Sequence, residues 1–328
     1  MPDFVLVEDL VTRAIRERVT PGAVIEVGRR DGVRWRAAFG GLTYDPQGKK
    51  TADDTIYDLA SLTKVISTAS LAMRLVESGA IALDQIRPLL DHSSGLPAHV
   101  KLFERASSRE TFLAEIRATP LDHPAGSAAV YSDLGFILLG FLLEHAGGAP
   151  LDAQFAPIAA RLGEICFNPS AEFVPRIAPT ERDPWRGREL RGLVHDENAF
   201  ALGGVAGHAG LFGTAAAVGA FARVVLDTFV EDTWLAKRAT FQEFATRSTV
   251  PGSSRALGWD TMLPTSSCGT LMSARAIGHT GFTGTSLWID PDKDLYVALL
   301  TNRVHPTRDG SGIQELRRAV SDAVVRSI

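Results

Sequence analysis

Apolar positions along the chain change period three times. Residues 4–18 set Leu6, Leu10, Ala14 and Ile15 at helical spacing with charges between them, which predicts an amphipathic helix. Two stretches rich in β-branched and aromatic residues follow, 23–27 and 33–39. The turn segment 28–32 between them predicts a hairpin. Gly40-Gly41 and residues 45–48 mark loops. Leu62, Val65, Ile66, Ala69, Ala72, Met73 and Val76 then recur every three or four positions up to Gly79, a residue suited to a helix C-terminus. From residue 80 to about residue 230 the pattern is mostly helical, with polar connections at 120–127 and 175–191 and little strand signal. Strand patterns return past Trp259, at 285–289 and 295–300 around a turn at 290–294. A last helix begins near residue 311, with Ile313, Leu316, Val320 and Val324 on one face.

Strands at both ends with helices between them predict one α/β unit built from residues 1–79 and 255–328. Residues 80–254 are expected to form a mostly helical domain inserted into it. The longest apolar run, 134–143, is about half the ~20 residues a bilayer crossing needs, so it reads as a buried helix and no membrane span is expected.

At 328 residues and 45% hydrophobic content the chain can bury a large core. A net charge of −4 without a block of lysine or arginine argues against nucleic acid and membrane surfaces as partners. A small-molecule or peptide substrate fits better. Cys166 and Cys268 are too few and too far apart for a metal cage or disulfide framework, and both are expected to be small buried residues. The start of the chain has no basic, apolar and small-residue export pattern, so a cytoplasmic location is expected. Composition leaves the oligomeric state open.

The candidate chemistry begins at Ser61-Leu62-Thr63-Lys64. Residues three apart on a helix share a face, so the Ser61 hydroxyl and the Lys64 amine can meet at a helix N-terminus. A serine becomes a nucleophile when a base takes its proton, and a desolvated lysine can serve. Ser-x-x-Lys is common by chance, but Lys64 is the only one of six lysines with a serine three places before it. Tyr131-Ser132-Asp133 lies between a turn and a helix, where a tyrosine can point into a cleft and relay protons. Gly278-His279-Thr280-Gly281-Phe282-Thr283-Gly284 enters a strand, and its glycines let a ligand lie against backbone. The glycine-rich 203–210 lacks a nucleotide fingerprint, and His195-Asp196 upstream lacks a His-Glu-x-x-His helix. Neither a metal nor a cofactor is expected. A Gly-x-Ser-x-Gly elbow is absent from the sequence.

Together, Ser61 to Lys64, Tyr131 to Asp133 and His279 to Gly281 resemble the three motifs of serine β-lactamases and penicillin-binding proteins, in order and rough spacing. The chain is similar to the class C β-lactamase-like branch, near penicillin-binding protein 4B-type proteins. Leu89-Leu90-Asp91-His92-Ser93-Ser94-Gly95-Leu96, the Tyr131 to Phe136 segment, and His195-Asp196 with 203–212 carry that likeness. The resemblance implies an α/β fold with a mixed, mainly antiparallel sheet flanked by helices, an all-helical lobe, and the site in the groove between them. It also implies attack by Ser61, proton transfer by Lys64 and Tyr131, an oxyanion hole from the backbone N–H groups of Ser61 and Phe282, and substrate contacts from Asp133, His279, Thr280 and Gly281.

Two positions depart from the pattern. His279 stands where the motif usually has lysine, and it would hold a carboxylate by charge only below its ordinary pKa near 6.5. Asp133 stands where asparagine is common. Close to Lys64 its carboxylate would keep the amine protonated, which works against Lys64 as a base; either Asp133 points away, or it receives a substrate amine, or Tyr131 carries more of the base role. The expected activity is hydrolysis of an ester or a D-residue-containing peptide through an acyl-enzyme. A true class C-type β-lactamase and a non-catalytic penicillin-binding or sensor protein are the alternatives.

Overall fold

The computed structural model describes residues 3–328. Helix α1 (Val5–Arg16) leads into the strands β1 (Gly22–Arg29) and β2 (Gly32–Gly40), joined by a turn of only Arg30 and Asp31. The short β3 (Tyr57–Asp58) precedes the Ser61 turn. A π-helical segment, Lys64–Ala69, then runs on into α2 (Ser70–Glu77). The central stretch contains α3 (Leu83–Leu90), α4 (Arg109–Ala118), α5 (Asp133–Gly147), α6 (Leu151–Leu162), β4 (Ile165–Phe167), β5 (Arg182–Asp183), β6 (Arg188–Glu189), α7 (Glu197–Ala201), β7 (Leu211–Gly213), α8 (Ala215–Thr228) and α9 (Arg238–Ala245). The chain closes with β8 (Asp260–Thr261), β9 (Ile277–Thr280), β10 (Ser286–Asp290), β11 (Leu295–Thr301) and α10 (Ile313–Ser327).

The main sheet has the order β2-β1-β11-β10-β9-β8 and is antiparallel throughout. The first hairpin joins the last strands because Ala23 to Gly28 pair with Thr301 to Tyr296. Period-two alternation divides β1 between two cores. Ala23, Ile25 and Val27 pack with α1 and α10, while Val24 packs in the larger core with α8 and the central helices. With helices on both faces, β1 and β11 are buried at nearly every position, which is why they read as continuous apolar runs. Helix α8, inside the span 80–254, lies against β1, β10 and β11.

Several local expectations need correction. Leu6 is exposed; of the expected face of α1, Ala14 is buried, and Val7 and Val11 turn inward with it. Val5-Leu6-Val7 is apolar at three successive positions, so spacing alone does not choose the face. Cys268 is buried but Cys166 is only half-buried. The middle of the chain contributes β4 and β7 to a small sheet with β3, in the order β3-β7-β4, whose strands of two or three residues are too short to leave a periodic signal. Helix α5 is the apolar run of 134–143, buried along one side. Among the described residues no single helix is long and apolar enough to cross a membrane.

Candidate active site

The Ser61 turn is held from three directions. Leu59 N–H donates to Leu211 O, and the Asp58 carboxylate accepts the N–H groups of Ala60 at 2.8 Å and His195 at 2.7 Å. Thr283 and Thr285 donate their hydroxyls to Asp58 O and Leu59 O, docking the β9–β10 loop on the same backbone. Gly281 makes this approach possible, since a Cβ there would lie 2.7 Å from Leu59 O and closer still to Thr285 Oγ1. Ala60 carries φ +47°, a left-handed conformation that costs a non-glycine residue about 1–3 kcal/mol and is held here by those contacts.

The structure brings the predicted residues together. Lys64 Nζ lies 3.0 Å from Ser61 Oγ, and Tyr131 Oη donates to the same oxygen at 2.8 Å. Lys64 also donates to Asp133 Oδ1 at 2.7 Å and to His208 O at 3.1 Å. These three acceptors match the three hydrogens of an ammonium group. Of the possibilities for Asp133, pointing away is therefore ruled out. Burial, the largest influence, works to lower the pKa of Lys64, but the charges of Asp133 and Tyr131 outweigh it and leave Lys64 above its ordinary value. Tyr131 is also pushed up, by burial first and by Asp133, with Lys64 offsetting only part.

Backbone N–H groups complete the centre. Among the described residues, neither Ser61 N–H nor Phe282 N–H has a protein acceptor. Thr280, Gly281 and Phe282 line a cavity of about 280 Å³ that reaches Ser61, Tyr131 and Asp133. His279 lines it too, but as a neutral ring. It is buried, and desolvation, then Arg255 and Lys64, hold its pKa well below 6.5. Its Nδ1 faces Thr280 O at 2.9 Å, which leaves Nε2 as an acceptor without a partner among the described residues. The expected gain in carboxylate binding as His279 gains a proton near pH 6.5 is therefore corrected. Burial in a cationic neighbourhood removes that titration from the ordinary range.

The cation here is Arg255, which composition and spacing did not single out. Its guanidinium sits 5.0 Å from the Tyr131 ring and forms no salt bridge among the described residues. Two neutral histidines flank Tyr131, His279 at 5.9 Å and His92 at 4.6 Å between ring centres. His92 accepts Ser132 N–H at Nδ1, and desolvation holds its pKa well below 6.5. The segment that raised a metal reading uses its side chains in pairs: His195 Nε2 with Glu181 at 2.9 Å, and His208 Nε2 with Asp196 Oδ1 at 2.8 Å.

Comparison with known proteins agrees with this geometry. A family model described as Beta-lactamase matches residues 7–321. A protein of Escherichia coli (strain K12) named "Putative D-alanyl-D-alanine carboxypeptidase" is 33% identical, over 83% of this chain and 75% of its own length. A Bacillus subtilis (strain 168) protein named "N-acetylmuramyl-L-alanine amidase" is 32% identical, over 87% of this chain and 78% of its own. Among solved structures, a penicillin-binding protein homolog from Caulobacter crescentus aligns with TM-score 0.78 at 18% identity, covering 99% of this chain and 97% of that one. EstCE1, a hydrolase with promiscuous acyltransferase activity, aligns with TM-score 0.77 at 20% identity over 98% of both chains.

Proposed function

We propose, for a chain that belongs to the Beta-lactamase family and is one of its serine hydrolases, that Ser61 forms an acyl-enzyme with a carboxylate-bearing peptide or ester. The observation that carries this reading is the convergence of Lys64 Nζ and Tyr131 Oη on Ser61 Oγ beside two free backbone N–H groups. Arg255 supplies the unpaired cation for a substrate carboxylate, in the place His279 was expected to fill. The names of the two relatives both specify an amide bond beside an alanine, D in one and L in the other, which favours an amide over a simple ester, and the first of them favours a D-residue.

In this reading Lys64 rests as an ammonium and Tyr131 is the base. Ser61 Oγ bonds to the scissile carbonyl carbon as its proton passes to the Tyr131 phenolate, which the Lys64 charge stabilises. The oxyanion is held by the N–H groups of Ser61 and Phe282. Tyr131 then gives its proton to the leaving group as the scissile bond breaks. In the second half Tyr131 takes a proton from water, hydroxide adds to the acyl carbon, and the Ser61 Oγ–acyl bond breaks as Tyr131 returns that proton to Oγ, releasing the acid. The reading includes the division into residues 1–79 with 255–328 and residues 80–254, with Tyr131 and Asp133 contributed by the second across the groove.

The test is covalent labelling. A fluorophosphonate should add one mass to the peptide holding Ser61, and p-nitrophenyl ester turnover should disappear in Ser61→Ala. Label remaining in that variant would remove Ser61 from the centre. A D-alanyl-D-alanine peptide, an L,L control and nitrocefin, each run to the acyl-enzyme stage, separate peptidase from β-lactamase. Faster acylation by nitrocefin than by the D-peptide would favour the β-lactamase.

A further inference from the structure

Ser61 stands between two cavities of opposite charge. The one reaching Arg255 carries three guanidinium groups, from Arg255, Arg303 and Arg317, against the single carboxylate of Asp133. On the other side of Ser61 a second cavity, about 320 Å³, is walled by Asp133, Asp196, Glu197, His99, His195 and His208. Four carboxylates meet at this wall, counting Glu181 behind His195, against the cations Lys64 and Arg308. Carboxylates outnumber these fixed cations two to one.

The partners within the wall leave specific acceptors unused. Asp196 Oδ1 takes both the His208 ring at 2.8 Å and Ala199 N–H at 2.7 Å, while Oδ2 has no partner among the described residues. Asp133 Oδ1 is taken by Lys64, and Oδ2 has only His99 Nδ1 at 3.9 Å, beyond hydrogen-bond reach. Glu197 spends Oε1 on Arg308 at 2.8 Å. His208 is an independent sign. It is 1% exposed, its Nε2 is committed to Asp196, and its Nδ1 has no partner. With Nε2 turned to the Asp196 carboxylate, Nδ1 is a buried polar atom left without a partner among the described residues, a costly arrangement unless a ligand completes it.

We propose that this second cavity is an ammonium subsite, so that the substrate carries a primary amine on the side of the scissile carbonyl opposite its carboxylate. An ammonium group has three donors and one positive charge, matching Asp133 Oδ2, Asp196 Oδ2 and His208 Nδ1 in kind. This would give Asp133 two duties, fixing Lys64 through one oxygen and receiving the amine through the other. The inference rests on the acyl-enzyme reading, since the cavity matters to substrate only because Ser61 lines it.

The test compares D-alanine p-nitroanilide with its N-acetyl form, and a D-lysyl form with its ε-acetyl form to allow for a longer reach. The free amine should be preferred in at least one pair by about tenfold or more in kcat/KM, the worth of one charge-assisted contact. The preference should collapse in Asp196→Asn, which keeps an N-cap acceptor for α7, and shrink in Glu197→Gln. n-Butylammonium should compete with ester hydrolysis, and n-butanol at equal concentration should not. Equal rates within both pairs, with no competition by n-butylammonium, overturn the ammonium subsite. Persisting Ser61-dependent ester turnover in that case leaves the hydrolase reading standing, whereas its loss together with the label removes both.

Discussion

Asp133→Asn is the most direct probe of the proton arrangement. The substitution keeps the side chain's shape and an acceptor oxygen for Lys64 Nζ, now 2.7 Å from Asp133 Oδ1, while removing one negative charge. Both groups touching Ser61 Oγ respond in the same direction. Asp133 raises Lys64 by holding its ammonium form, and it raises Tyr131 by repelling the phenolate. Without that charge either base is freed at lower pH, so the alkaline rise of kcat/KM should move toward neutrality. An adjacent charge commonly changes proton affinity by about tenfold to a thousandfold. At pH 7 an uncharged p-nitrophenyl ester should therefore turn over faster in the variant, on the order of tenfold. The assay is a kcat/KM profile from pH 6 to pH 10 on that ester, with active sites counted by fluorophosphonate. A profile superimposable on the native one, at equal active-site count, would show that the carboxylate does not govern the base.

In the native protein kcat/KM on the neutral ester should climb from pH 7 toward pH 10, because the base acts when deprotonated and its pKa lies above the ordinary tyrosine value; stopped-time assays at constant ionic strength read this. Affinity for a carboxylate-bearing substrate should not improve between pH 7.5 and pH 5.5, because His279 stays neutral there, and an NMR titration should find its ring and that of His92 uncharged across the range. Arg255→Gln should lower the ratio of carboxylate-bearing to neutral substrate turnover by about tenfold, the worth of a hydrogen bond to a charged group; an unchanged ratio would move the anchor elsewhere. Gly281→Ala should cost about 1–3 kcal/mol of stability by overpacking against Leu59 O and Thr285, read as a lower Tm, together with weaker labelling of Ser61.

How much of this site was legible depended on whether a residue acts through its neighbours in sequence or across the fold. Ser61 and Lys64 are three residues apart, so helix geometry alone places the amine at the hydroxyl, and the structure has them at 3.0 Å. The hairpins and terminal helices were legible because period and turn chemistry are local. The π-helical stretch Lys64–Ala69 was not, since it keeps the same apolar spacing as an α-helix. Arg255 was invisible for a different reason. It sits in an irregular segment between Ser254 and Ala256, and only the fold brings it beside Tyr131. Nor could sequence say that His279 would be buried among cations, which abolishes the pH response expected of an exposed histidine.

The two departures at Asp133 and His279 make physical sense as one arrangement. A lysine in place of His279 would put a second ammonium near Lys64 and Arg255, in a buried region where like charges repel strongly. Neutral His279 relieves that crowding, and Arg255 supplies the positive charge beside Tyr131. Asp133 acts on the opposite wall, fixing Lys64 as an ammonium and adding negative charge to the cavity lined by Asp196 and Glu197. Exchanging either residue alone for the commoner one would unbalance the centre. With Asp133 kept, His279→Lys crowds the cationic cavity while Lys64 is held as an ammonium; with His279 kept, Asp133→Asn frees Lys64 and Tyr131 to act as bases but adds no second cation for a β-lactam carboxylate. The double exchange Asp133→Asn with His279→Lys should then recover more activity on a β-lactam than the sum of the single effects, because the two positions couple through Lys64. Strict additivity in that cycle would mean that the two positions do not act on each other through Lys64.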